Sequence, residues 1–216
     1  MPAFILVICS HYGLQLTLKK DKDMEQNPTV PTSIKGKELE EFVLFRARKC
    51  DEPDGMYTLG RCGVMAFFNQ GVWTPVHSLP DFEGITAGNA RQFVFDCKVC
   101  SQASYDLSGG THKSFAHQLK HMRKRAKFGA TCFIMLHFNA RVLKTKSDVS
   151  FTVLFPVGET PFWLGYDSGE QKNITRADAE QYGTPVTWNA LGRKRKLSPD
   201  LYAALKSLGH STKHTE

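Results

Sequence analysis

The chain contains no apolar run approaching ~18 residues, so nothing in it reads as a membrane-spanning helix. Its first apolar run, residues 4–9, is too short for a signal-peptide core, and no Lys or Arg precedes it. The same run does not read as a lipoprotein cleavage box, because Ile8 stands where a small residue is needed before Cys9. No G-x-x-x-x-G-K-[ST] loop occurs, which excludes an evident nucleotide motor. No H-E-x-x-H occurs, and no nucleophile elbow precedes Ser108, nine residues before His117. Internal repeats are absent. Six Cys in 216 residues are too few for a disulfide scaffold. Without an export signal they are expected to stay reduced in a cytoplasmic protein.

Acid is also in short supply. Twenty-eight Lys and Arg against 21 Asp and Glu leave a net charge of +7 with His neutral, which favours a polyanionic partner. Apolar residues reach 41% and include 15 Phe, enough for a real core. The length predicts one compact domain with decorations.

Residues 1–34 read as a poorly ordered leader with a turn-rich end. Ser33 is expected to cap a helix starting near Lys35, with helical spacing over 37–48 and one buried stripe of Leu39, Phe42, Val43 and Arg46-Ala47. Residues 50–63 read as loop, with Pro53-Asp54-Gly55 a turn. Residues 64–68 and 72–73 read as strands around the turn Asn69-Gln70-Gly71. Residues 81–86 and 92–100 read as an antiparallel hairpin closed at Ala87-Gly88-Asn89. A polar loop with Gly109-Gly110 follows, and then a strong helix over 114–128, ended by Gly129. Residues 130–138 are apolar almost throughout, as a strand buried on both faces is. Residues 149–156 and 162–166 read as further strands. Thr175 is expected to cap a short helix, and Ser198-Pro199-Asp200 to open the last one with Pro in its first turn. The order of elements is an α/β layer pattern.

The informative stretch is Pro80-Asp81-Phe82-Glu83-Gly84 followed by Phe93-Val94-Phe95-Asp96-Cys97-Lys98. Positions two apart in a strand share a face. Asp96 and Lys98 therefore point one way, and Phe95 and Cys97 the other. Charge in an otherwise apolar strand is costly unless it is paired or binds a metal. Asp81, if brought beside Asp96, would complete a hard-oxygen site suited to Mg²⁺ or Mn²⁺. The competing reading is an ion pair of Lys98 with Asp96 or Asp81 on a solvated strand face.

Pro80-Asp81 with Asp96-x-Lys98 matches the PD-(D/E)xK nuclease signature, and the chain resembles the RecU-type Holliday junction resolvases. Lys35-Gly36-Lys37-Glu38-Leu39-Glu40 resembles the start of the family's first helix. Asp81-Phe82-Glu83-Gly84-Ile85 resembles its D-Y-x-G-I segment, and Phe95-Asp96-Cys97-Lys98 its F-E-A-K strand. His117-Gln118-Leu119-Lys120-His121-Met122 resembles the H-Q-x-x-x-M helix, and residues 129–134 the next strand. The match covers residues 35–138, with looser echoes at 173–176 and 183–186. Two departures stand out. Asp96 replaces the usual Glu, and residues 60–79 are shorter and more aromatic than the family's stalk.

The resemblance implies a restriction-endonuclease-like α/β core, a mixed and mainly antiparallel sheet flanked by helices, over residues 35–160. Residues 161–216 are then an extension. It implies Asp81, Asp96 and the Cys97 carbonyl as metal ligands and Lys98 as the catalytic lysine. Glu40 would be a further ligand or water-orienting acid, and Gln118 would reach toward the lysine or the phosphate. The expected activity is Mg²⁺- or Mn²⁺-dependent cleavage of DNA, on four-way junctions, by a homodimer whose two sites share a two-fold axis. Other readings are a flap- or duplex-specific nuclease of the same superfamily and a non-catalytic module for branched DNA.

Basic residues fit a DNA partner. Lys113, Lys120, Arg123, Lys124, Arg125 and Lys127 gather on and beside one helix, and Arg193, Lys194, Arg195 and Lys196 in a loop. Phe67, Phe68 and Trp73 read as core or as base-stacking residues. Cys97-x-x-Cys100 has zinc-like spacing, with Cys50 and Cys62 as further candidates. Residues three apart in a strand face opposite sides, however, so Cys97 and Cys132 are expected in the core. His117 and His121 share a helix face without a metalloprotease motif.

Overall fold

The structure is a computed structural model that describes residues 30–50, 57–62, 66–69, 72–75, 79–86, 90–108, 113–142, 147–191 and 196–211. The expected turns at 53–55, 70–71, 87–89 and 109–110 lie outside the described residues, as does the leader up to residue 29.

Helix α1 (Gly36–Cys50) begins where expected, but Lys35 rather than Ser33 stands at its cap, its carbonyl accepting from Leu39 N–H at 3.1 Å. The Glu38 carboxylate turns back and accepts from the Lys35 N–H at 2.6 Å, the return half of a capping box. Leu39, Val43 and Ala47 form the buried stripe. Residues 30–34, read above as leader, are ordered. The Asn139 amide accepts from Ile34 N–H at 2.8 Å and donates to Ile34 C=O at 3.1 Å.

Strand β1 (Tyr57–Arg61) replaces the expected loop. Its Thr-Leu-Gly interior carries little strand signal; five register pairs with a later strand hold it in place. β2 (Ala66–Asn69) and β3 (Val72–Pro75) form the expected hairpin, with Asn69 opposite Val72. β4 (Phe82–Thr86) and β5 (Gln92–Cys100) pair antiparallel. β6 (Ser104–Asp106) interrupts the expected polar loop. α2 (Lys113–Lys127) ends as expected at Gly129, whose φ of +90° favours glycine. β7 (Thr131–Phe138) follows, then the two-residue strands β8 (Arg141–Val142) and β9 (Ser147–Asp148), then β10 (Phe151–Pro156).

Residues 162–166 are helical, not a strand. α3 (Pro161–Asp167) is opened by Thr160, whose side chain accepts from Trp163 N–H, with Pro161 at the first position. Its aromatics look like strand residues, but Phe162, Trp163 and Tyr166 fall on one helical face. β11 (Asn173–Thr175) pairs with β6, a partner too distant in the chain for local sequence to reveal. α4 (Arg176–Tyr182) carries the expected Thr175 cap, completed as a capping box by Asp178. β12 (Thr184–Pro185), β13 (Trp188–Leu191) and β14 (Lys196–Pro199) precede α5 (Leu201–Ser211). Pro199 closes β14 instead of entering the last helix. Asp200 caps that helix, accepting from Ala203 N–H at 3.2 Å.

The main sheet runs β1-β4-β5-β7-β10-β12, and within it only β5 and β7 are parallel, joined across α2. This is the mixed, mainly antiparallel sheet expected. One face packs Val94, Ile134, Leu136 and Phe155 under α2 and α3. The other packs Phe93, Phe95, Phe133 and Met135 against α1 and α5. β7 thus has an apolar residue on each face in turn, as read from its composition. His137 is buried beside Thr152, whose hydroxyl lies 2.8 Å from its Nδ1 and accepts from Trp188 Nε1 at 2.9 Å.

Candidate active site

Period two in β5 does what the sequence implied. Asp96 and Lys98 share a face, and the Lys98 ammonium pairs with Asp96 Oδ2. Asp96 is 0% exposed, so this is no solvated surface pair. Gln118, on the inner side of α2, donates from Nε2 to Asp96 Oδ1 at 2.9 Å and to the Leu79 carbonyl at 3.2 Å. It therefore reaches the acid rather than the lysine. Gln118 Oε1 is buried without a hydrogen-bond partner.

Asp81 stands immediately before β4. The antiparallel pairing lays it against the middle of β5, where its Oδ2 accepts from Cys97 N–H at 2.7 Å. Two carboxylates thus meet on adjacent strands. Burial is the main force on Asp96 and pushes its carboxyl up; the Lys98 charge opposes this and the Asp81 charge adds to it, leaving it at about 8. Glu40 reaches the cluster from α1. Its carboxyl is raised by burial and then by the Asp81 charge, against the pull of Arg61 and Lys98. The Glu40 carboxylate pairs with Arg61 of β1 at 2.9 Å.

The donor set is hard oxygen, and the charges it brings together repel. A divalent cation fits that chemistry, because it would replace a costly like-charge contact by two attractive ones. Among the described residues no three His, Cys, Asp or Glu side chains already form a metal cage. A site of one or two carboxylates is nevertheless the usual Mg²⁺ arrangement, with water and phosphate oxygens supplying the rest.

Cys97 and Cys132 lie in the core, and Cys97 and Cys100 face opposite cores. The Cys97 thiol is pushed well up, first by burial and then by the charges of Asp81 and Asp96, which makes it unreactive. Cys62 lies beside the site: its N–H donates to the Asp81 carbonyl at 3.0 Å, and burial pushes its thiol up to about 11. His117 is exposed and His121 half-buried on α2. Cys50's side chain lies outside the described residues.

The basic residues sort into groups. Arg125 Nη2 pairs with Glu83 of β4 at 2.6 Å, on the same side of α2 as Gln118. Arg123 pairs with Asp167 of α3 at 2.7 Å and lies over the Trp163 ring, 5.2 Å from its centroid. Lys120, Lys124 and Lys127 are exposed. Arg193, Lys194 and Arg195 lie outside the described residues, as do the side chains of Lys113, Lys196, Phe67, Phe68 and Trp73. Arg61 was missed because its segment reads as loop. Asn139, which ties down the entry to the helix bearing Glu40, was missed because its partner is 105 residues away.

A six-stranded mixed sheet that carries two acids and a lysine on adjacent central strands has the restriction-endonuclease-like layout. Within that class the chain belongs to the Recombination protein U family, whose model matches residues 69–190. A similar solved structure is that of Hjc, a Holliday junction resolvase from the archaeal hyperthermophile Archaeoglobus fulgidus. It is 16% identical, with a TM-score of 0.40 over 70% of this chain and 92% of that one. No curated protein matches the chain.

Proposed function

We propose that this chain is a divalent-metal-dependent endonuclease that hydrolyses DNA phosphodiesters and resolves four-way junctions. The observation that carries the reading is the meeting of Asp81, Asp96 and Lys98 on two adjacent strands, with Gln118 bonded to Asp96. Family membership supports the same substrate.

Asp81 and Asp96 would hold Mg²⁺ or Mn²⁺, with the Cys97 carbonyl beside them. Such an ion supplies Lewis acidity to a phosphoryl oxygen and lowers the pKa of bound water. Lys98, only partly exposed, presents a cation to the oxygens on which charge grows as water attacks phosphorus. Glu40 orients the attacking water from the α1 side. Gln118 fixes the rotamer of Asp96 and anchors the backbone before Pro80-Asp81. The water oxygen forms the new P–O bond, one ester P–O bond breaks, and the leaving oxygen takes a proton.

Residues 35–160 serve as the nuclease core and 161–216 as an extension; β12 adds to the edge of the main sheet and α5 packs in the α1 core. Residues 1–34 precede the core. A junction needs two paired cuts, so a two-fold homodimer is expected. We place the protein in the cytoplasm, with the DNA that a recombination protein acts on.

The test is cleavage of labelled four-way junction, flap, duplex and single-stranded DNA with Mg²⁺, with Lys98→Ala and Asp81→Asn alongside. Two symmetric nicks confined to the junction and lost in both variants support the reading. Equal cutting of flap or duplex removes the junction assignment. Tight binding without cutting leaves a binding module.

A further inference from the structure

Helix α2 has two working flanks. Gln118, His121 and Arg125, at spacings of three and four, face β4 and the acidic cluster. Leu119, Arg123 and Ala126 face α3. Between α2 and α3 lie two adjoining depressions of about 470 Å³ each. One is walled by Lys120, Lys124, Lys127 and Tyr166 and has no acidic residue in its lining. The other is walled by Gly158, Glu159, Trp163, Leu164 and Asp167. Arg123 and Lys127 border both.

Arg123 is a strut across this groove, fixed by Asp167 and by the rings of Trp163 and Tyr166. The three lysines are different. They are exposed and make no ion pair among the described residues. Nothing acidic on α2 answers them, because the helix contains no Asp or Glu. Lys120 and Lys124 stand one turn apart, about 6 Å along the axis. Such a spacing lets both ammonium groups lie along the phosphates of one DNA strand, whose charges recur every ~3.4 Å of duplex axis.

We propose that the α2–α3 groove holds the phosphate backbone of a DNA arm beyond the cut, on the opposite side of α2 from the catalytic cluster. The proposal rests on the nuclease reading and extends it. The arm passes over α2, with its scissile phosphate at Asp81, Asp96 and Lys98 and a stretch further along on Lys120, Lys124 and Lys127. Exposed Leu164, 64% accessible, lies beside the track as an apolar contact for sugar or base.

The test is a salt titration of full-length protein binding a four-way junction in EDTA, read by fluorescence anisotropy. A Lys120→Ala/Lys124→Ala/Lys127→Ala variant is compared with wild type and with Lys172→Ala, a change at an exposed lysine elsewhere. Alanine favours helix, and circular dichroism checks that α2 persists. Three lost phosphate contacts are expected to make the log–log salt slope shallower by about 2 to 3 and to weaken binding at least about tenfold near 0.1 M salt. A slope and affinity equal to wild type overturn the proposal. So does loss of poly-glutamate binding with DNA binding kept, which assigns the groove to an acidic protein. Wild-type cutting of the junction is followed in Mg²⁺ in parallel. Failure there sinks the nuclease reading and is distinct from an unchanged slope.

Discussion

Asp96→Asn is expected to stabilise the metal-free protein while abolishing cleavage. Asp96 is fully buried, and its carboxyl is pushed up to about 8 from an ordinary 3.8. Between those values the folded chain holds a proton that the unfolded chain has released, so wild-type stability falls as pH rises through that window. At pH 7 the penalty approaches ~4 kcal/mol, taking ~1.36 kcal/mol per pH unit above 3.8. Asparagine carries no such penalty but gives up the charge-assisted bond from Lys98, which returns ~2 kcal/mol. The remainder is about 2 kcal/mol in favour of the variant, or a rise in Tm of roughly 4–8 °C for a chain of this size. The assay is thermal unfolding of both proteins in EDTA from pH 4 to pH 9. The difference is expected to grow with pH and level off near 8. Mg²⁺ should raise the Tm of the wild type and leave the variant nearly unmoved, because binding to the folded state alone stabilises it. A variant less stable than wild type at pH 7, or a difference independent of pH, would refute the reasoning.

Three further outcomes follow from other parts of the fold. Burial holds His137 down at about 4, so the unfolded chain gains a proton first as pH falls below 6.5; urea unfolding should show up to roughly 3 kcal/mol lost between pH 6.5 and 4, and His137→Gln should flatten that dependence. Gly84→Ala would put a Cβ 2.1 Å from the Thr58 carbonyl oxygen and 2.4 Å from Phe93 Cζ; a loss of about 3 kcal/mol in chemical unfolding is expected, and an unchanged midpoint would contradict the β1–β4 register. Asn139→Ala strips both bonds to Ile34, so it should cost about 2–3 kcal/mol and slow junction cleavage by displacing Glu40, whereas an exposed-site control such as Ala177→Ser should do neither.

The legible parts of this fold are those whose signal is local. The hairpin of β4 and β5, the doubly buried β7 and the Gly129-ended α2 all announce themselves in residue type and spacing. That Asp96 and Lys98 share a face follows from the two-residue period alone. α3 was hidden because Phe-Trp-Leu-Gly-Tyr has strand-like composition, and only the Thr160-Pro161 start distinguishes it. β1 and β6 were hidden because distant partners, not their own residues, make them strands. The Arg61 partner of Glu40 and the Asn139 clamp on Ile34 share this property. No window of sequence shows two groups that meet only after the sheet is assembled.

The Asn139 clamp also fixes an order of events. Ile34 and Asn139 are 105 residues apart, and Glu40 follows the first of them by a few positions. A ribosome adding ~5–20 residues per second takes roughly 5–20 s to span that interval. Until β7 and the residue just after it have emerged, the chain entering α1 lacks both of its Asn139 bonds and rests on apolar packing alone. This anchor on the segment before Glu40 is therefore added only after Asp81, Asp96, Lys98 and Gln118 have all been made. Anchoring of the helix that bears Glu40 thus ends late in biosynthesis, with a side-chain amide that touches none of the reacting atoms.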